Sequence, residues 1–66
     1  MLLRDLIDTY HEQDRKLCVT IRLEGKPVSY YRNLDVLGPV VLNKPVLEVK
    51  TKEYNPDEDI AVVSLD

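Results

Sequence analysis

The side chains best suited to covalent catalysis in this chain are one histidine and one cysteine, His11 and Cys18. A nucleophilic thiol needs a base beside it and donors for a developing oxyanion, and no glycine-rich elbow lies near either residue. His11 lies in a polar stretch, and Cys18 lies in the polar row of an alternating segment. We therefore predict a solvated histidine, an inert thiol, no catalytic residue and no enzymatic activity.

The remaining polar residues do not favour metal or nucleotide chemistry. A structural zinc site needs about four Cys or His ligands, whereas this chain contains one of each. The acidic run Asp57-Glu58-Asp59 lacks the alternating carboxylates and central glycine of a calcium loop, so it predicts a solvated hairpin turn. Gly25 and Gly38 are the 2 glycines, too few for a phosphate-binding loop. We predict no metal and no cofactor.

Charge argues against nucleic acid as the main partner. The net charge is −3, and residues 34–66 hold three Lys/Arg against seven Asp/Glu. An acidic chain repels phosphate at long range, although a local basic patch can override that repulsion.

A candidate polar surface combines cations with an aromatic ring. Its residues are Arg22, Lys50, Lys52, Tyr30 and Tyr31. Arginine and lysine beside an outward tyrosine resemble a platform for single-stranded nucleic acid. Glu48 lies in the same row and is expected to form cross-strand pairs, so a solvated face of mixed charge is favoured.

Length and composition predict one small domain, residues 1–66, in a reducing cytoplasm. The 66 residues include ten Leu, nine Val and three Ile but no Phe or Trp. The lone Cys18 has no internal partner, and charge at Arg4 interrupts the start before any signal-peptide core. No segment reaches the roughly 20 apolar residues that span a bilayer, so no membrane association is expected.

The first half of the chain predicts a helix followed by a β-hairpin. Apolar residues recur at helical spacing in one stripe: Leu2, Leu3, Leu6, Ile7 and Tyr10. Residues 17–23 alternate between apolar and polar, which is typical of a strand with one buried face. Gly25 can take positive φ in the turn before residues 27–31 return as a second strand. Tyr30 and Tyr31 must then point to opposite faces.

The second half predicts a short capped turn and a second hairpin. Asn33 is expected to cap a helical turn through Leu37, with Gly38 as its left-handed stop. Residues 47–51 and 60–65 form the third and fourth strands, the fourth being central because both its faces are apolar. The predicted fold is α+β, with the N-terminal helix packed on a four-stranded, mainly antiparallel sheet of two hairpins.

Between the hairpins lies a proline-interrupted apolar stretch, residues 36–45 (VLGPVVLNKP), which we name the crossing segment. Proline lacks the N–H that a central strand donates, so this stretch predicts a connection rather than a strand. An extended backbone cannot bury Val40, Val41 and Leu42 together under one sheet face. At least one of them should remain exposed, which makes the three a candidate interface.

The order of elements resembles a known group of proteins. An opening of the type LRDLIDTY, a hairpin such as VTIRLEGKPVSYYRN and a closing strand IAVVSL resemble the short uncharacterised proteins encoded in phage and prophage genomes of Gram-positive bacteria. The resemblance implies a phage origin and a helix-plus-sheet fold, and it assigns no functional residue.

These observations predict a small, non-enzymatic interaction module. A phage or prophage accessory protein that self-associates or binds a protein partner would cover the surplus aliphatic side chains. One alternative is an acidic inhibitor that mimics nucleic acid. Its carboxylates would be those of Glu53, Asp57, Glu58, Asp59 and Asp66. The other alternative is weak binding of single-stranded nucleic acid through Arg22, Lys50 and Lys52.

Overall fold

The computed structural model describes residues 1–52, 54 and 57–66. One helix, α1 (Leu3–Glu12), precedes a hairpin of β1 (Lys16–Leu23) and β2 (Lys26–Tyr31). A second hairpin, β3 (Val46–Thr51) and β4 (Glu58–Ser64), follows the crossing segment. The four strands form one sheet in the order β2-β1-β4-β3, which confirms the predicted α+β fold and the central position of the fourth strand.

The two hairpins join through a parallel pair at the centre of the sheet. Both hairpins are antiparallel, whereas β1 runs parallel to β4, with Val19 opposite Ala61 and Ile21 opposite Val63. Parallel neighbours require a connection that returns the chain to its starting end. The sheet is therefore mixed, and mainly antiparallel as predicted.

The core lies between α1 and one face of the sheet. Leu3, Val19 and Val63 are fully enclosed there. The stripe predicted from helical spacing supplies the helix side, with Leu6 and Tyr10 also buried. At its N-terminus α1 lacks a side-chain cap, and the Leu3 N–H instead donates to the carbonyl of Lys44 at 2.9 Å. A backbone group of the crossing segment thus satisfies a helix end that would otherwise be unpaired.

The hairpin turn between β1 and β2 has the predicted chemistry. Gly25 adopts a positive φ of 77°, and Glu24 before it also has a positive φ, of 54°. Tyr31 packs against the core, whereas Tyr30 lies on the opposite face and is 64% exposed. The prediction that the adjacent tyrosines separate to the two faces is confirmed.

The crossing segment differs from its predicted conformation in two ways. Gly38 has a φ of −77° and precedes helix α2 (Pro39–Leu42), so its assignment as a left-handed stop was wrong. Proline is well suited to the first position of a helix, where its missing N–H costs no hydrogen bond. The backbone of Val40 and Val41 is therefore helical, and the expectation of an extended chain at those residues was also wrong.

The chain before α2 forms the predicted capped turn. The Asn33 side chain accepts a hydrogen bond from the N–H of Asp35 at 3.2 Å, at the start of a 3₁₀ turn over Leu34–Val36. This turn directs Leu34 and Leu37 toward the core, where Leu37 is buried.

Candidate interaction surfaces

A groove of about 620 Å³ lies between α1 and residues 34–42. Its floor is apolar and half-buried or buried, and its rim is charged and exposed. The floor residues are Ile7, Leu34, Leu37 and Leu42, and the rim residues are Arg4, Asp5, Asp8 and Asp35. Three carboxylates and one guanidinium thus border the groove, and the rim carries net negative charge.

The groove continues toward the C-terminal end of α1. A second hollow of about 210 Å³ shares Ile7, Asp8, Leu34 and Asp35 with the first, and Tyr10 and Arg15 also line it. The capped turn at Leu34–Val36 positions the wall opposite the helix, because it sets Leu34 and Asp35 against the outward flank of α1. The two hollows thus adjoin along α1, where Ile7 and Leu34 line both of them and Asp8 and Asp35 border both.

A partly buried charge cluster lies at that end of α1, beside the second hollow. The Tyr10 hydroxyl donates a 2.5 Å hydrogen bond to Oδ2 of Asp59, and Nη2 of Arg15 lies 2.8 Å from the same oxygen. The guanidinium also lies over the Tyr10 ring, 4.9 Å from its centroid. The turn after α1 makes this possible, because Asp14 takes a positive φ of 54° and the Arg15 N–H donates back to the Tyr10 carbonyl.

The cluster shifts the acidity of both its titrating members. The hydrogen bond from Tyr10 and the charge of Arg15 hold the pKa of Asp59 below its usual value, although burial opposes them. Burial, together with the hydrogen bond to Asp59, raises the pKa of Tyr10. Oδ1 of Asp59 is buried and has no hydrogen-bond partner among the described residues. The side chain of Thr51 also helps to lower the pKa of Asp59. Asp59 is thus ionised and tied to α1.

This cluster overturns the prediction of a solvated turn at residues 57–59. Glu58 and Asp59 belong to β4, where they are 7% and 5% exposed, and only Asp57 is exposed as expected. The side chain of Glu58 pairs with Lys52 at 3.5 Å and with Arg32 at 3.7 Å. Their burial has a simple cause: β4 starts earlier than its apolar residues indicate and carries both carboxylates into the sheet.

Most of the carboxylates proposed for a nucleic-acid mimic are therefore not available on the described surface. Of its five carboxylates, Glu58 and Asp59 are buried and paired, and Glu53 lies outside the described residues. The Asp66 carboxylate accepts the N–H of Glu24 at 2.8 and 2.9 Å. Asp57 remains exposed.

The candidate polar surface lies on the face of the sheet opposite α1, which we name the open face. Glu48 lies 3.5 Å from Arg22, across β4, which confirms the predicted cross-strand pairing for that residue. The contact of Glu48 with Lys50, at 3.2 Å, is made within β3 itself. Tyr30 and Lys50 border a hollow of about 190 Å³ over Thr20 and Val62. Tyr31 is not part of this surface, because it packs on the helix side.

The candidate interface at Val40, Val41 and Leu42 is divided by the turn of α2. Val40 is 68% exposed, whereas Val41 and Leu42 pack against the core. Leu42 also lines the groove. The expectation that at least one of the three stays exposed is met by Val40.

The two residues considered first for chemistry lie apart. His11 is exposed on α1, and Cys18 is buried on the open face, across the sheet from that helix. No group of three or more His, Cys, Asp or Glu able to hold a metal occurs among the described residues. Within the same residues, no helix has the length and apolar character needed to cross a membrane.

Comparison with known proteins returns no relative. No family model, no curated protein and no solved structure matches the chain.

Sequence reasoning missed the cluster of Tyr10, Arg15 and Asp59. The alternation of β4 could have indicated this cluster. Asp59 precedes Ala61 and Val63 at spacings of two and four, so all three side chains point to the core side of the sheet. The acidic neighbours of Asp59 obscured that register and favoured a loop.

Proposed function

We propose that this protein is a non-enzymatic interaction module that binds a protein partner in the groove between α1 and residues 34–42. The observation that carries the proposal is the apolar floor of Ile7, Leu34, Leu37 and Leu42 within a charged rim. Binding grooves for proteins and peptides combine an apolar base with a few polar groups that fix orientation.

The rim charge defines the chemistry of the partner. Asp5, Asp8 and Asp35 outnumber Arg4, so a basic segment is attracted and an acidic one repelled. The partner would insert aliphatic side chains at helical spacing into the floor and place lysine or arginine beside the carboxylates. Apolar contacts would supply affinity, and the charges would select the partner and its orientation.

The biological setting we propose is that of a phage or prophage accessory protein. The element order of the chain resembles such proteins, and small phage proteins without catalytic groups can act by occupying a surface of a host or viral protein. The separation of His11 from Cys18 across the sheet supports a binding role over a catalytic one.

Selection from a library of random short peptides tests the groove directly. We expect the enriched peptides to combine aliphatic residues at spacings of three and four with flanking lysine or arginine. Their binding should shift amide resonances of Ile7 and Leu34 in nuclear magnetic resonance spectra, because these residues lie on the floor.

Two matched double variants separate the groove from general charge. Asp8→Lys/Asp35→Lys reverses the rim and should abolish peptide binding, whereas Glu12→Lys/Glu24→Lys makes the same change of net charge at exposed positions outside the groove. The second variant should bind as the original chain does. Equal loss in both variants, or enrichment of acidic peptides, would contradict the proposal.

A further inference from the structure

The two edges of the sheet differ in how well they are protected. On the β2 edge, Pro27 lacks an N–H, and an irregularity opposite Ile21 and Arg22 leaves Val28 out of register. On the β3 edge, the only described cover is the bridge of Leu2 to Pro45, where the Val46 N–H donates to the Met1 carbonyl at 2.9 Å. Beyond Val46, no described residue pairs with the outer side of β3.

The free part of the β3 edge has its hydrogen-bonding groups directed outward. The Lys52 N–H donates to the Glu58 carbonyl at 3.0 Å, so Lys52 and every second residue before it direct their backbone groups toward β4. Alternation along an antiparallel strand then directs the N–H and C=O of Val49 and Thr51 away from the sheet. Leu47 and Val49 are also 53% and 46% exposed, so this edge presents apolar side chains with unused backbone groups.

We propose that β3 pairs with β3 of a second copy of this chain, antiparallel, about a twofold axis at Val49. About such an axis, Val49 of one copy lies directly opposite Val49 of the other. The two residues form a hydrogen-bonded pair, in which each N–H donates to the C=O of the other residue. The same register sets Glu48 of each copy opposite Lys50 of the other on the open face. Opposite charges directly across a strand pair are stabilising.

Neighbouring registers lack this complementarity. An axis at Lys50 would place that lysine against its own copy, and an axis at Glu48 would do the same with two carboxylates. An axis at Thr51 would keep the outward backbone groups but set Lys50 of each copy opposite Lys52 of the other, two like charges. Among these registers, the axis at Val49 alone satisfies both the outward backbone groups and the charges. Because this surface lies on the edge of the sheet, the inference does not depend on partner binding in the groove.

Sedimentation of a charge-swap series tests the register. We expect the original chain to form a dimer, and Glu48→Lys or Lys50→Glu alone to weaken it about tenfold, because each single change makes two like-charged pairs. The double swap Glu48→Lys/Lys50→Glu restores opposite charges and should restore the dimer. Lys26→Glu changes charge on the opposite edge and should leave the dimer unaffected.

Amide hydrogen exchange of the original chain gives a second measurement that needs no variant. The Val49 amide should become more protected as protein concentration rises, whereas the amide of the exposed Val28 should not. A chain that stays monomeric at millimolar concentration overturns the inference. So does a dimer that is indifferent to both single swaps, or one that the double swap fails to restore.

Discussion

The two faces of the sheet bury side chains equally well but by different means. On the helix side, Val19 and Val63 are 0% exposed beneath α1. On the open face, Cys18 and Val62 are 2% and 3% exposed, although no described helix covers them. There the cover consists of side chains such as Tyr30, Arg22 and Lys50, which border the hollow above Val62.

This difference shows that two equally buried side chains can be packed with different rigidity. A helix packed on a sheet interdigitates at nearly fixed positions, so a side chain removed from that layer leaves a cavity. Long amphipathic side chains lie along apolar surface while their charged ends stay in water, and they can move to fill a gap. Equal exposure on the two faces should therefore not mean equal contribution to stability.

Two neighbouring valines provide the sharpest test of this distinction. Val63→Ala removes volume beneath α1 and should lower the free energy of unfolding by about 2 kcal/mol. Val62→Ala removes the same atoms beneath Lys50 and Tyr30 and should cost about 1 kcal/mol, because that cover can collapse. Urea denaturation of both variants checks the order. Equal losses would mean that the open face is packed as rigidly as the helix side.

The charged groups of the two faces should follow the same order, with those on the helix side contributing more to the free energy of unfolding. Tyr10→Phe removes the donor to Asp59 beneath α1 and should cost about 1.5 kcal/mol at neutral pH. Because the pKa of Asp59 is lowered in the folded state, its contribution is complete above the unfolded value of about 4 and is lost as pH falls through the folded value.

Acid titration therefore shows whether Asp59 behaves as a buried charge. The loss of stability of the original chain below about pH 4 should be shallower in Tyr10→Phe than in the original chain, as followed by circular dichroism. Asp5→Asn, which alters an exposed carboxylate of α1, serves as the control and should leave that slope unchanged. A slope that is equal in all three proteins would contradict the assignment.

On the open face, the corresponding charge change should have little effect. Glu48 lies 44% exposed between Arg22 and Lys50. Glu48→Gln should therefore alter the free energy of unfolding by less than about 0.5 kcal/mol, since exposed ion pairs are screened and cost side-chain entropy. Thermal unfolding measures this change, at protein concentrations too low for the proposed dimer to form. A loss as large as that of Tyr10→Phe would remove the contrast between the faces.

The smallest expected effect concerns nucleic acid. Arg22 and Lys50 share Glu48, and Lys52 pairs with Glu58, so the cations of the open face are already partly neutralised. We expect micromolar protein to leave the mobility of a labelled single-stranded oligonucleotide unchanged at low salt. A shift that disappears on Lys50→Ala would instead show that the open face is a nucleic-acid platform.

Periodicity was sufficient to predict most of the fold. The stripe through Leu6 and Tyr10 and the alternation through Val19 each require one structure, because only a helix or a strand places those residues on one face. The parallel pairing of β1 with β4 was not predictable in this way. A strand pattern shows which face is buried and does not show which strand lies beside it.

The candidate site was less predictable because it depends on distant residues. Leu34 and Asp35 face α1 only because of the capped turn and the path of the crossing segment. That path includes the short helix α2, whereas the sequence predicted an extended connection after a stop at Gly38. Asp59 meets Tyr10 across 49 positions of the chain, a distance at which sequence spacing carries no information.

The parallel central pair has a consequence for how the protein is made. β1 gains its neighbour β4 only after residues 58–64 have been synthesised, so the first hairpin and α1 leave the ribosome with one flank of β1 unfilled. Contacts between sequence-distant strands form slowly. We expect nascent chains shortened before residue 58 to require chaperone protection, and native structure to arise late in translation or after it.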